Sequence, residues 1–159
     1  MLTRAKRDFL QSRSMGLIYI LVRHPIIMGN QAYYESFGGK NVAVIGASTK
    51  PDRTSYKAVR RLLDKGYNVF GVNPSSSVVH GIKCVQNIYE ITENIDFATI
   101  YVNPHLSSSM GLAELLIEKG VKGVIFNPDT ENPDIAAKLR DYGINVKEEC
   151  TLIELSLHG

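Results

Sequence analysis

One punctuation mark, repeated four times, limits what this chain can fold into. An apolar, β-rich run ends and a proline follows within a few residues, at Val42 to Pro51, Val69 to Pro74, Thr99 to Pro104 and Gly123 to Pro128. Three of the four end in Asn-Pro. Short continuous apolar runs of this kind read as strands buried on both faces, and each is followed by a stretch with helical periodicity. Strands alternating with helices imply right-handed βαβ units and a parallel sheet covered on both sides. The pattern predicts an α/β, Rossmann-like, doubly wound parallel sheet of five to six strands. In such sheets the carboxyl ends of the strands line one rim, and ligands bind in the crevice there.

The spacing places strands at Asn41–Ile45, Asn68–Val72, Phe97–Val102, Gly123–Phe126 and Ile144–Lys147, with a weaker third strand at Ile82–Val85. Helices are expected over Ser55–Lys65, near Asn87–Thr92, over Ser108–Lys119 and over Pro133–Tyr142. Ala58, Val59, Leu62 and Leu63 form one apolar stripe on the first helix, and Gly66 stops it. Asn132 is the expected cap of the last helix and Pro133 its first residue. The closing segment CTLIEL, Cys150 to Leu155, is expected to add a short strand or to pack across the sheet.

With 159 residues the chain has room for one domain with a good core. That domain is assigned to residues 39–159. Residues 1–38 do not share its pattern. Arg4, Lys6, Arg7 and Arg13 precede a short apolar run, Leu17 to Val22, which is too short to span a bilayer and has no small-residue cleavage site behind it. They are expected to be a disordered extension or upstream sequence from a misplaced start, with Met28 opening a native-looking terminus. Five Lys/Arg against two acids in residues 1–39, and thirteen against fourteen in residues 40–159, leave the body without the footprint of a nucleic-acid binder. Cys84 and Cys150 have neither metal nor disulfide spacing, so reduced thiols in a cytoplasm are expected.

The first rim loop runs from Gly46 to Ser55 and leads into a helix, where a phosphate meets free backbone N–H groups and the positive helix end. Gly46, Ala47 and Ser48 are small enough for close approach. Lys50 and Arg53 sit on the loop itself and suit a polyanion, whereas Arg60, Arg61 and Lys65 read as a solvated helix face. The loop carries one glycine where G-x-G-x-x-G needs three, and Gly71-Val72-Asn73-Pro74 offers no carboxylate for an NAD ribose. No G-x-x-x-x-G-K-[ST] occurs. Val72 and Pro74 instead suggest a flat wall for an adenine or a pantetheine arm, with Asn73 offering a donor and an acceptor. Val102-Asn103-Pro104 repeats this on the far side of the first strand.

GAS-x-KPDR-x-SY, GY-x-V-x-x-VNP, VIFNP-x-TENP and GI-x-V-x-x-x-CTL, in that order over residues 40–155, resemble the small stand-alone CoA-binding protein family. That family is similar to the amino-terminal domain of the succinyl-CoA synthetase alpha subunit. The resemblance implies CoA or acyl-CoA bound across the first two strand-end loops. Carried onto matching positions, Gly46, Ala47 and Ser48 would cradle the diphosphate. Lys50 and Arg53 would meet its charges or the 3′-phosphate, and Ser55 and Tyr56 would complete the loop. Val72, Asn73 and Pro74 would hold the nucleotide end, with Val102 and Asn103 as contacts on the opposite flank. The family often has glycine after FNP; here it is Asp129, beside Glu131, and this acidic loop is expected to stand outside the site.

No catalytic constellation or metal set is evident, so a binding module or sensor is expected, acting alone, as a homodimer or with a protein partner, without nucleic acid or membrane. The alternative is an NADP-binding or acyl-CoA-processing enzyme using His105, the histidine on the rim, or Cys84.

Overall fold

The computed structural model describes residues 39–75 and 77–157. The expectations for residues 1–38 lie outside the described residues.

Strands β1 (Asn41–Ile45), β2 (Asn68–Val72), β5 (Phe97–Ile100), β6 (Gly123–Phe126) and β7 (Asn145–Glu148) form one parallel sheet in the order β2-β1-β5-β6-β7. The chain winds outward from β1 to β2, then returns to the other side of β1 with β5. The topological switch point therefore lies between β1 and β5. Side chains alternate between the two faces, as strand geometry demands. Val42, Val44, Phe97 and Ile125 face helix α1 (Thr54–Asp64) through Val59 and Leu62. Ala43, Ile45, Ala98, Ile100, Val124 and Phe126 face the other way, onto α3 (Leu112–Lys119) and α4 (Pro133–Asp141), through Leu112, Leu116, Ile135 and Leu139. Both faces are buried, which is why these strands read as unbroken apolar runs.

Three local expectations are corrected. First, the helix expected over Ser108–Lys119 is two helices, α2 (Pro104–Ser109) and α3. Gly111, at φ 65°, breaks them in a left-handed conformation that glycine adopts without strain. Strand β5 accordingly stops at Ile100, and Asn103 caps α2 by accepting from the Leu106 N–H at 2.8 Å. Second, the weak stretch at Ile82–Val85 is divided. Strand β4 (Ile82–Lys83) forms a hairpin with β3 (Val78–Val79), and Val85 makes a single parallel bridge to Val72. Gly71 has to lack a side chain there, because a Cβ would overlap Cys84 Sγ. Third, of the two expectations for the closing segment, the strand is not formed: it packs on the sheet as helix α5 (Thr151–Leu157), whose Leu155 joins the α1 face of the core.

A buried polar knot fixes that last helix. Asn127, at the end of β6, donates through Nδ2 to Thr99 Oγ1 (2.7 Å) and to the Ile100 carbonyl (3.0 Å). Its Oδ1 accepts from the Thr151 N–H at 2.9 Å. Thr99 and Thr151 share a further hydroxyl bond at 2.9 Å, and Thr130 Oγ1 donates to the Asn127 carbonyl at 2.7 Å. These groups are buried, so each bond offsets a desolvation cost that would otherwise oppose folding.

Candidate functional site

The first rim loop is built around Gly46, at φ 90°; a Cβ there would stand 3.0 Å from Val102 Cγ1 and 3.1 Å from the Tyr101 carbonyl carbon. Glycine thus lets the β1 end and the β5 end close on each other. The N–H groups of Gly46 and Ala47 both point to the Val72 carbonyl, at 3.0 and 3.2 Å. These two donors stitch β1 to β2 and are not aimed at the crevice, contrary to the expected diphosphate cradle. What they leave is small, close-packed backbone.

Donors for a ligand come later in the loop. Arg53 occupies the N-cap of α1 in extended conformation, no side chain caps the helix, and its first turn holds no acid. The N–H groups of Thr54, Ser55 and Tyr56 therefore face outward at the positive helix end. Ser55 is only 5% exposed and lies in the first turn of α1. Lys50 and Arg53 carry exposed side chains beside this turn. The Ser48 hydroxyl accepts from the Lys50 N–H at 3.2 Å, and the Arg53 N–H donates to the Lys50 carbonyl at 3.0 Å, so the loop is shaped internally. Farther along α1, Arg60 pairs with Asp64 at 3.0 Å on the solvent face, as expected of a residue outside the site.

At the end of β2 the structure uses Asn73 differently from the expectation. Its Nδ2 donates to the Ala47 carbonyl at 2.5 Å, and its Oδ1 accepts from the Ser75 N–H and hydroxyl at 2.8 and 2.7 Å. The amide clasps the first two loops together and has little left for a ligand. Val72 is buried, so Pro74 supplies the exposed apolar surface of this wall. Tyr56 is half-buried against the hairpin: its ring centroid lies 4.0 Å from that of His80, whose ring nitrogen meets the Tyr56 carbonyl at 3.0 Å.

On the other flank a cleft of about 370 Å³ opens between the α1 start and the ends of β5, β6 and β7. Arg53, Ser55, Tyr101, Asn103, Asp129 and Cys150 line it. The loop after β6, expected to stand apart because of its acids, is thus part of this cleft. Strand order explains the outcome: β6 pairs with β5, so its end lies next to the switch-point flank. Asp129 sits at φ 70°, a left-handed position that favours glycine and tolerates Asp, which suits the glycine expected of the family at this place. The Tyr101 hydroxyl is buried beside Thr99 and Thr151 without good hydrogen-bond geometry to either. Burial pushes its ionisation up to about 12, against a smaller opposing effect of those two hydroxyls.

The structure brings Gly46, Ser48, Lys50, Arg53, Ser55, Val102 and Asn103 to the rim around the switch point, and turns Val72 and Asn73 inward. Sequence reasoning missed Tyr101 and Cys150 as cleft residues. The motif CTL signalled Cys150, but nothing local told that α5 folds it back toward α1. Of the two residues weighed for catalysis, Cys84 is buried under Gly71 and its thiol is pushed up by burial. His105 is exposed in the first turn of α2, with no acid or nucleophile paired to it among the described residues. No group of three metal-ligating side chains occurs among those residues, and no helix there is long and apolar enough to cross a membrane.

Comparison with known proteins agrees with this fold. A protein from Pyrococcus horikoshii OT3 superposes with a TM-score of 0.73 at 30% identity, covering 82% of this chain and 92% of that one. Among curated proteins, the acetate–CoA ligase [ADP-forming] of Methanocaldococcus jannaschii is 34% identical over 86 residues, which is 54% of this chain and 12% of the ligase. Bacillus subtilis (strain 168) YneT is 37% identical over 62 residues, 39% of this chain and 46% of that protein. The chain thus spans less than half the length of these two curated relatives. Residues 40–156 match the model of the CoA binding domain, and the chain belongs to that family.

Proposed function

We propose that this domain binds CoA or acyl-CoA as a module or sensor without a catalytic centre of its own. One observation carries the reading: the uncapped, acid-free start of α1, with Lys50 and Arg53 on the loop before it, in a chain of the CoA binding domain family. Helix start and cations together suit a diphosphate and a 3′-phosphate. Small residues at Gly46, Ala47 and Ser48 allow the nucleotide to lie against the backbone, and Pro74 offers an apolar edge to its base. The pantetheine arm then runs along the β1 end past Val102 into the cleft flanked by Asn103 and Tyr101.

The reaction of the ligase relatives is not carried over, since this chain corresponds to 12% of one and to 19% of the Pyrococcus furiosus alpha subunit. A reducing, cytoplasmic setting suits a ligand with a free thiol and two unbridged cysteines. Mass spectrometry of the purified protein is expected to find CoA bound. A thermal-shift titration is expected to show stabilisation by CoA exceeding that by NADPH. A clear shift with NADPH and none with millimolar CoA overturns the reading in favour of an NADP site.

A further inference from the structure

The cleft beside the α1 start carries its charge unevenly. Among the described residues that line it, two are charged, Arg53 and Asp129. Arg53 follows β1 and Asp129 follows β6, with β5 between those strands. The strand ends that carry them therefore stand two strand spacings, about 10 Å, apart along the rim. No ion pair or hydrogen bond among the described residues engages either side chain. The acid is held in place by the fold. The Thr130 N–H closes a turn on the Asn127 carbonyl at 3.0 Å, and Thr130 Oγ1 donates to the same oxygen at 2.7 Å. The Asn127 amide is in turn bonded to Thr99 and Ile100. Asp129 takes the third position of that turn at φ 70°, where glycine is free of strain and a side chain is not. The chain nevertheless keeps an exposed, unpaired carboxylate there, on the wall of the cleft.

We propose that Asp129 is a specificity-determining residue: it makes the cleft select CoA thioesters with short uncharged acyl groups against those whose acyl group ends in a carboxylate. The inference rests on the CoA reading above. With the phosphates held by Lys50, Arg53 and the open turn of α1, the pantetheine arm carries the acyl group across the rim toward β6. Arg53 is then committed to phosphate, which leaves Asp129 as the charge nearest the acyl end. A carboxylate brought beside it meets a like charge against a protein wall, where repulsion is less screened than in open water. An uncharged acyl group meets no such cost, and a cleft of about 370 Å³ has room for a short one. Selection of this kind penalises the wrong ligand instead of adding a contact to the right one.

Calorimetry with propionyl-CoA and malonyl-CoA, which share their acyl carbon count and differ in the terminal carboxylate, tests this. The wild type is expected to bind propionyl-CoA at least ~10-fold tighter. Asp129→Asn removes the charge and keeps a side chain that tolerates left-handed backbone, while Asp129→Gly removes both charge and strain. Each is expected to shrink the ratio of the two affinities to less than ~3-fold. A wild-type ratio near one, or a ratio that either variant retains, overturns the inference; with free CoA still bound, the CoA reading stands. If neither free CoA nor either thioester binds, the CoA reading fails, and the inference fails with it.

Discussion

Asn73-Pro74 and Asn127-Pro128 are the same dipeptide at the ends of two strands of one sheet, yet they do different work. Asn73, half-buried at the rim, bonds to Ala47 and Ser75 and holds two adjacent loops in place. Asn127, 2% exposed, bonds to Thr99, Ile100 and Thr151 and anchors the last helix. A third copy, Asn103-Pro104, simply caps α2. What the comparison teaches is that Asn-Pro marks where a strand must stop. Proline forbids a donor and biases the preceding residue toward extended backbone, and the asparagine amide then bonds whatever the topology brings near. Asn73 and Asn127 spend their amides on the fold, whereas Asn103 uses its Oδ1 to cap α2 and lines the cleft; the open turn of α1 lies beside it.

Breaking the buried member should cost most. Asn127→Ala leaves the Thr151 N–H and the Thr99 hydroxyl short of partners and is expected to lower unfolding free energy by ~3 kcal/mol in urea titrations. A loss below ~1 kcal/mol would mean that water replaces the amide and that the knot is not structural. Next comes the loop before α1. Reversing both Lys50 and Arg53 to Glu is expected to weaken CoA at least ~10-fold in calorimetry with little change in stability, because both side chains are exposed. Unchanged affinity would remove these cations from the site. Asn73→Ala should cost ~1 kcal/mol in stability and loosen ligand binding modestly, since a rim clasp is more easily replaced by water than a buried one. If it matched Asn127→Ala in denaturant midpoint, the contrast between the loops would collapse.

The smallest effect is expected at Tyr101. Its hydroxyl is buried without a well-formed bond, so Tyr101→Phe should change stability by less than ~0.5 kcal/mol or raise it slightly. In the wild type, ionisation is displaced from 10.0 to about 12. Between those values the folded protein keeps a proton that the unfolded chain releases. Stability from this group is full below pH 10 and declines as pH rises through about 12. Ultraviolet difference titration should show one tyrosine ionising late, and Tyr101→Phe should remove it. A full set of tyrosines ionising near their ordinary value would contradict the burial.

Strands β1, β2 and β6 were legible to their end residues, because each is a continuous apolar run bounded by turn formers and buried on both faces. The Asn132 cap and Pro133 start of α4 were legible for the same local reason. Helix α5 was not. Seven residues carry too few turns to display a period, and its first turn depends on Asn127, 24 residues away in sequence. The short loop before α1, with its small residues and its exposed Lys50 and Arg53, was legible because its chemistry is local. The cleft was not, since it arises where the ends of three strands meet the start of α1. The charge of Asp129 points away from an anion site, but the sheet order that puts β6 beside β5 decides where the residue sits.

The docking of α5 against α1 has a thermodynamic consequence. The helix that opens the site and the helix that closes the chain share one face of the core, and Asn127 ties the second to the sheet. Fraying of α5 and slackening of the α1 start then belong to one opening event, so a ligand that binds only the closed form must suppress both. Amide hydrogen exchange should register CoA at Thr151–Leu157, far in sequence from Lys50 and Arg53.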